Sequence, residues 1–178
     1  MRTILIIDDN RGVCDALSLL FSLHDIQAIT AASPEAGLEV LSREPVSLVV
    51  ADMNFTADTT SGAEGAELFH AIRARNPDLP VILLTAWTHL ATAVELVKAG
   101  AADYMAKPWD DAKLLATVEN LLELAEAARE ASTRRTERNR RREQLAARFD
   151  LCGLIYAADA TERIVTIACQ IARSNAPV

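Results

Sequence analysis

Aromatic residues are scarce in this chain, at 4% of 178 positions. So few rings leave little to stack on the bases of single-stranded nucleic acid. Cys14, Cys152 and Cys169 are odd in number and share no CxxC spacing. That argues against a disulfide framework or a thiolate metal site, and the three read as reduced, mostly buried thiols. His24, His70 and His89 are not grouped at ligand spacing. His24 and His70 read as surface residues, while His89 follows Thr85 closely enough to contact a site there. No apolar window is long enough to span a bilayer. Only four apolar residues separate Met1-Arg2-Thr3 from a pair of aspartates, too few for a signal-peptide core. Cytoplasmic placement without membrane contact is expected.

Apolar content is 51%, enough for a packed core, and the length suits one α/β domain with a tail. Charge is unevenly spread. Residues 129–148 hold eight Arg against three Glu, a local +5, so with the whole chain at −7 the rest carries −12. An acidic globule followed by a basic connector is the reading.

Short apolar runs recur at helix-permitting intervals: Ile4–Ile7, Leu48–Ala51, Val81–Leu84 and Ala102–Ala106. Such runs read as buried parallel strands of an alternating β/α chain. Ile26–Thr30 adds a further short strand. Each of the four runs ends on polar residues: Asp8 and Asp9, Asp52, Thr85, then Lys107-Pro108. In an open parallel sheet, ligands bind outside the carboxyl ends of the strands where the strand order reverses. Three carboxylates gathered there repel one another and need a cation or a proton among them. All-oxygen ligands favour a hard ion such as Mg²⁺. Taken singly, the residues allow a plainer reading in which Asp8 caps the first helix and Lys107 forms an ordinary ion pair.

Helical spacing predicts a first helix over Arg11–Leu23, with Val13, Ala16, Leu17, Leu20 and Phe21 as its buried stripe. Ser33-Pro34 opens a second that runs to about Ser42. A polar stretch, Asn54–Glu64, precedes a third helix over Ala66–Arg75. Thr88–Ala99 form a fourth, closed by Gly100 as a left-handed cap. Asp110 or Asp111 caps the fifth, whose Leu114, Val118, Leu121, Ala125 and Ala128 make a coiled-coil-like seam. The seam then meets Ser132, Arg135, Asn139 and Arg142. Pairs Glu130–Arg134 and Glu137–Arg141 still support a solvated helix. The arginine run is also compatible with nucleic-acid contact.

The constellation resembles the receiver domain of two-component response regulators. It is carried by Asp8-Asp9, Asp52-Met53, Thr85-Ala86, Gly100-Ala101-Ala102-Asp103-Tyr104 and Lys107-Pro108, in that order. The resemblance covers residues 1–126. It implies a doubly wound, five-stranded parallel sheet of flavodoxin-like order 2-1-3-4-5 with an extended C-terminal helical linker over 127–148. It further implies Asp52 as phosphoacceptor from a sensor histidine kinase, with Mg²⁺ on Asp8, Asp9, Asp52 and the backbone carbonyl of Asn54. Lys107 would bind a phosphoryl oxygen. Thr85 and Tyr104 would form the switch, reshaping a homodimer face made by the fourth helix, fifth strand and fifth helix, or by the linker. Ala86 leaves room for the phosphoryl group, Pro108 fits a cis Lys-Pro bond, and Asn54 and Trp87 stand where phosphate lifetime is tuned. Bulky Trp87 would slow autodephosphorylation.

Residues 149–178, with Cys152-Gly153-Leu154-Ile155, a helical pattern over Glu162–Arg173 and Ala176-Pro177-Val178, resemble the opening of the ATPase domain in sigma-54-dependent, NtrC-like activators. The GxxxxGK[ST] loop that would follow is not in this sequence, so a fragment without ATPase activity is expected. DNA and sigma-54 polymerase would be reached only through missing domains. Two departures from the receiver pattern stand out. No proline follows Met53 closely, and glycine arrives late, at Gly62 or Gly65, implying an insertion of about five residues beside the site. Two other classes remain open: a pseudo-receiver acting only as an interaction module, and a phosphoaspartate-type phosphohydrolase. The latter carries an aspartate two residues beyond its nucleophile, where this chain has Asn54.

Overall fold

A computed structural model describes residues 2–55, 62–86, 95–148 and 159–171. Five strands are defined: β1 (Thr3–Ile7), β2 (Gln27–Ala31), β3 (Leu48–Asp52), β4 (Val81–Thr85) and β5 (Asp103–Ala106). They form one all-parallel sheet in the order β2-β1-β3-β4-β5. The helices are α1 (Arg11–Ser22), α2 (Pro34–Arg43), α3 (Ala63–Arg75), helical residues 95–98 as α4, α5 (Asp111–Arg148) and α6 (Asp159–Ile171). The chain divides into two compact units, Met1–Ala127 and Ala128–Val178.

In the first unit, successive strand residues face opposite sides, and each side has its own core. Leu5, Ile7, Val49, Ala51, Val81 and Leu83 pack with Leu68, Phe69 and Ile72 of α3 and with Leu96. Ile4, Ile6, Leu48, Val50, Ile82 and Leu84 pack with α1 and α5. Because β1, β3 and β4 are covered on both faces, all five residues of each are buried. Continuous apolar runs, rather than alternation, are what such burial requires.

Local chemistry sets the helix ends. Asn10 caps α1, its Oδ1 accepting from the N–H groups of Gly12 and Val13 at 2.9 and 3.4 Å. Ser33 caps α2 ahead of Pro34, with Oγ accepting from Ala36 N–H at 3.2 Å. Gly100 takes a φ of +101°, and its carbonyl accepts from Arg73 Nη2 at 2.6 Å. Arg73 also donates to the Pro77 carbonyl and lies 5.4 Å from the centre of the Phe69 ring. One arginine thus joins the end of α3 to the chain entering β5.

Several expectations are corrected. The buried stripe of α1 is Cys14, Leu17 and Phe21, with Val13 and Leu20 on its shoulders; Ala16 is exposed. Strand β2 runs one residue later than expected, Gln27–Ala31. Helix α3 begins at Ala63, not Ala66, because Gly62 at φ +69° turns the chain into it. Gly65 then sits in its first turn, where a Cβ would lie 2.4 Å from the Met53 Cα. On α5 the fully buried positions are Leu114, Val118 and Leu122, while Leu121 is only partly buried. A helix lying on a sheet repeats by fours along one ridge, whereas a seam of alternating threes and fours belongs to helix pairing.

In the second unit, Ser132, Arg135 and Asn139 are exposed, and Glu130 bonds Arg134 at 3.2 Å. Val165 and Cys169 of α6 are buried, and Glu162 pairs with Arg138 Nε at 3.3 Å. No helix among the described residues is long and apolar enough to cross a membrane. Trp87, His89, Cys152 and the Gly-Leu-Ile element at 153–155 lie outside the described residues, as do most of the expected fourth helix and the Ala176-Pro177-Val178 end.

Candidate functional site

The sheet order reverses between β1 and β3, and the carboxyl ends of those strands carry Asp8 and Asp52 side by side. Backbone bonds fix the frame. Asp8 N–H donates to Ala31 O at 3.0 Å, Met53 N–H to Leu84 O at 2.9 Å, and Lys107 N–H to Thr85 O at 2.6 Å. Each strand end is therefore tied to its neighbour at the residue that bears the functional group, Asp8 or Lys107, or, for Asp52, one residue beyond it.

Asp8 is 2% exposed and Asp52 is 7% exposed, whereas Asp9 faces solvent. Each of the three offers a carboxylate oxygen, and these oxygens lie within 4.8 Å of one another. Lys107 reaches in from the end of β5, placing Nζ 2.6 Å from Asp8 Oδ2 and 3.0 Å from Asp52 Oδ1. This is more than an ordinary ion pair, since one ammonium serves two buried acids at once. Nor does Asp8 cap α1: its Oδ1 accepts from Asn10 N–H at 2.9 Å, and Asn10 is the cap. Thr85 is buried at the end of β4, beside the exposed Ala86. The Lys107–Pro108 bond is cis.

Burial pushes the Asp52 carboxyl above the ordinary carboxylate range, against the opposing pull of Lys107. The Asp8 charge adds to the rise, and the Met53 N–H, donating to Asp52 Oδ1 at 2.8 Å, lowers it slightly. The cost of an ionised Asp52 is thus partly met by one cation and one N–H. Three convergent carboxylates are a donor set that fits a small, hard divalent cation.

Tyr104 is half-buried against the core face shared with α3. It lies on β5, the strand that delivers Lys107. Asn54 directs its side chain to the far bank of the following loop, Oδ1 accepting from Gly62 N–H at 2.9 Å. Glu64 Oε2 accepts from Phe55 N–H at 2.9 Å. Sequence reading did not single out Glu64, nor the contact made by the buried Cys14, whose Sγ donates to the Asp8 carbonyl at 3.4 Å. Burial, with the nearby Asp8 charge, raises the Cys14 thiol above its usual range. Cys14 and Cys169 are both unbridged.

A doubly wound parallel sheet with an acidic pocket and an inward lysine at its switch point defines a receiver-type signalling module. The model of the response regulator receiver domain matches residues 4–119, and the chain belongs to that family. Response regulator protein FleR of Pseudomonas aeruginosa is 42% identical over 114 residues, 63% of this chain and 23% of its own length. Transcriptional regulatory protein GlrR of Escherichia coli is 32% identical over 120 residues, 67% of this chain and 26% of its own. The chain therefore spans about a quarter of the length of these relatives. Among solved structures, a receiver domain from Bacteroides fragilis matches with a TM-score of 0.60 at 41% identity, covering 68% of this chain and 97% of its own. NtrX from Brucella abortus, solved with ATP, matches with a TM-score of 0.63 at 26% identity over 73% of this chain and 29% of its own.

Proposed function

We propose that this chain is a phosphorylation-controlled receiver in which Asp52 accepts a phosphoryl group from a phosphohistidine on a sensor histidine kinase. The observation that carries this reading is the pairing of Asp52 with Lys107 at 3.0 Å inside an acidic pocket at the switch point. Asp52 would attack phosphorus while the bond to the histidine nitrogen breaks, giving an aspartyl phosphate. Carboxylates are weak nucleophiles, so positioning and charge neutralisation must supply the rate. Lys107, already in the pocket, would exchange its carboxylate contacts for a phosphoryl oxygen.

Asp8, Asp9 and Asp52 would hold Mg²⁺, with the Asn54 carbonyl as a further ligand. When bound, the ion would neutralise charge on the transferred group. Thr85 would donate its hydroxyl to the phosphoryl group, and Tyr104 would move with it, altering the α4–β5–α5 face or the linker through which two copies pair. The matched regulators support an output at the level of transcription, through a sigma-54-type activator. The protein would act in the cytoplasm, as a phosphoacceptor that catalyses its own phosphotransfer and dephosphorylation and not as a turnover enzyme.

Intact mass after incubation with phosphoramidate and Mg²⁺ tests the reading. A gain of one phosphoryl group, lost in Asp52→Ala and on chelation, is the expected result. No gain in the wild type would favour an interaction module that lacks phosphotransfer, and repeated turnover of a phosphate ester would favour a hydrolase.

A further inference from the structure

The chain between residues 55 and 62 lies outside the described residues, but both of its banks are described, and two bonds join them. Asn54 Oδ1 accepts from Gly62 N–H, and Glu64 Oε2 accepts from Phe55 N–H, each at 2.9 Å. A third tie, Gly65 N–H to Met53 O at 3.1 Å, completes the bracket. Phe55 N–H and the Asn54 carbonyl belong to one planar trans peptide, so they point in opposite directions. Whatever fixes the N–H of that unit fixes the carbonyl as well. A carboxylate accepting from the N–H also polarises the unit and makes the carbonyl oxygen a stronger donor to a cation.

We propose that Glu64 is a positioning residue for the cation site: by holding Phe55 N–H, it aims and polarises the Asn54 carbonyl as a ligand. This rests on the reading that the acidic pocket takes Mg²⁺ with that carbonyl among its ligands. Glu64 touches neither the cation nor the phosphoryl group; it acts through the peptide plane. The Asn54 side chain has the same purpose, because its bond to Gly62 keeps the two banks together at the residue whose carbonyl matters. Glu64 and Glu67 line the same surface cleft with Phe55. A bond from Glu67 to the Phe55 peptide is not among those described, so Glu67 serves as a charge-matched control.

The test is calorimetric titration of the unphosphorylated chain with Mg²⁺, alongside hydrogen exchange at the Phe55 amide. Partners of this kind behind a metal ligand are typically worth about 10- to 100-fold in affinity. Glu64→Ala should weaken Mg²⁺ binding about tenfold and expose the Phe55 amide. Glu64→Gln, which keeps an acceptor but no charge, should lose about threefold and retain most of the protection. Glu67→Ala should bind within about twofold of wild type. If Glu64→Ala exposes the Phe55 amide yet binds Mg²⁺ as wild type does, or if Glu67→Ala loses as much, the positioning role is wrong. Should Glu64→Ala fail to fold, the Gln and Glu67 variants decide alone. Failure of wild type to bind Mg²⁺, with Asp9→Asn no different, would instead overturn the underlying cation site.

Discussion

Replacing Lys107 with methionine keeps the apolar stem and removes only the ammonium. In the native pocket that group lies 2.6 Å from one oxygen of Asp8 and 3.0 Å from one of Asp52, with side-chain exposures of 17%, 1% and 10%. Deleting one partner of a buried ion pair typically costs about 3–5 kcal/mol, because the other charge stays buried without compensation. Here two carboxylates are left, but Asp52 can escape by taking a proton, so the lower end, about 3 kcal/mol, is the expected loss at neutral pH without divalent cations. For a domain of this size that corresponds to a fall in Tm of about 10 °C. Asp52 already sits above the ordinary carboxylate range, and the loss of Lys107 drives it higher. The native state then binds more protons than the unfolded chain through the window between the ordinary and the raised value. Stability in that window rises as pH falls. The deficit of Lys107→Met should therefore shrink on going from pH 8 to pH 5.5, and millimolar Mg²⁺ should restore much of it at pH 8. Urea unfolding followed by far-UV circular dichroism, at both pH values and with or without Mg²⁺, reads all four conditions. A deficit that ignores both pH and Mg²⁺ would refute the electrostatic argument and leave Lys107 with a packing role.

The same reasoning gives Asp52→Asn the opposite sign. Removing a carboxylate held above its ordinary range should raise Tm in the absence of Mg²⁺, and the gain should shrink as pH falls through the raised carboxyl range; a Tm below that of wild type at pH 7.5 would contradict it. Two glycines should respond unequally to alanine. At Gly65 the new Cβ meets the Met53 Cα at 2.4 Å and two carbonyl oxygens at 2.9 Å, whereas at Gly37 it meets the tip of Ile7 at 2.4 Å. Backbone cannot give way as a side chain can, so Gly65→Ala should cost about 3 kcal/mol and Gly37→Ala about 1 kcal/mol in denaturant unfolding.

The strand ends were legible because buried parallel strands leave an unmistakable pattern, four or five apolar residues and then a polar one. Asp8, Asp52 and Thr85 follow from that pattern, Lys107 closes the partly buried β5, and their convergence follows from the strand order. Helix α5 was legible in extent but not in phase. Leu121 and Leu122 are adjacent leucines, and only the choice between a sheet and a second helix as packing partner decides which is buried. The early start of α3 was hidden by its composition, since Gly62, Ala63 and Glu64 read as the end of a polar loop. Glu64 was missed for a related reason. A bond from a side chain to a backbone amide nine residues back leaves no period and no motif. Cys14, legible as a buried thiol, gave no sequence sign that it touches the Asp8 carbonyl.

Arg73 reaches two carbonyls and one ring from the end of α3, and its acceptors at 77 and 100 are main-chain atoms. Selection on that tie falls unevenly. Any residue at 77 supplies the same oxygen, and any residue at 100 does so too, provided it tolerates a φ of +101°. The burden of inheritance rests on the donor, so among descendants of this sequence position 77 is free to drift while an arginine at 73 should persist.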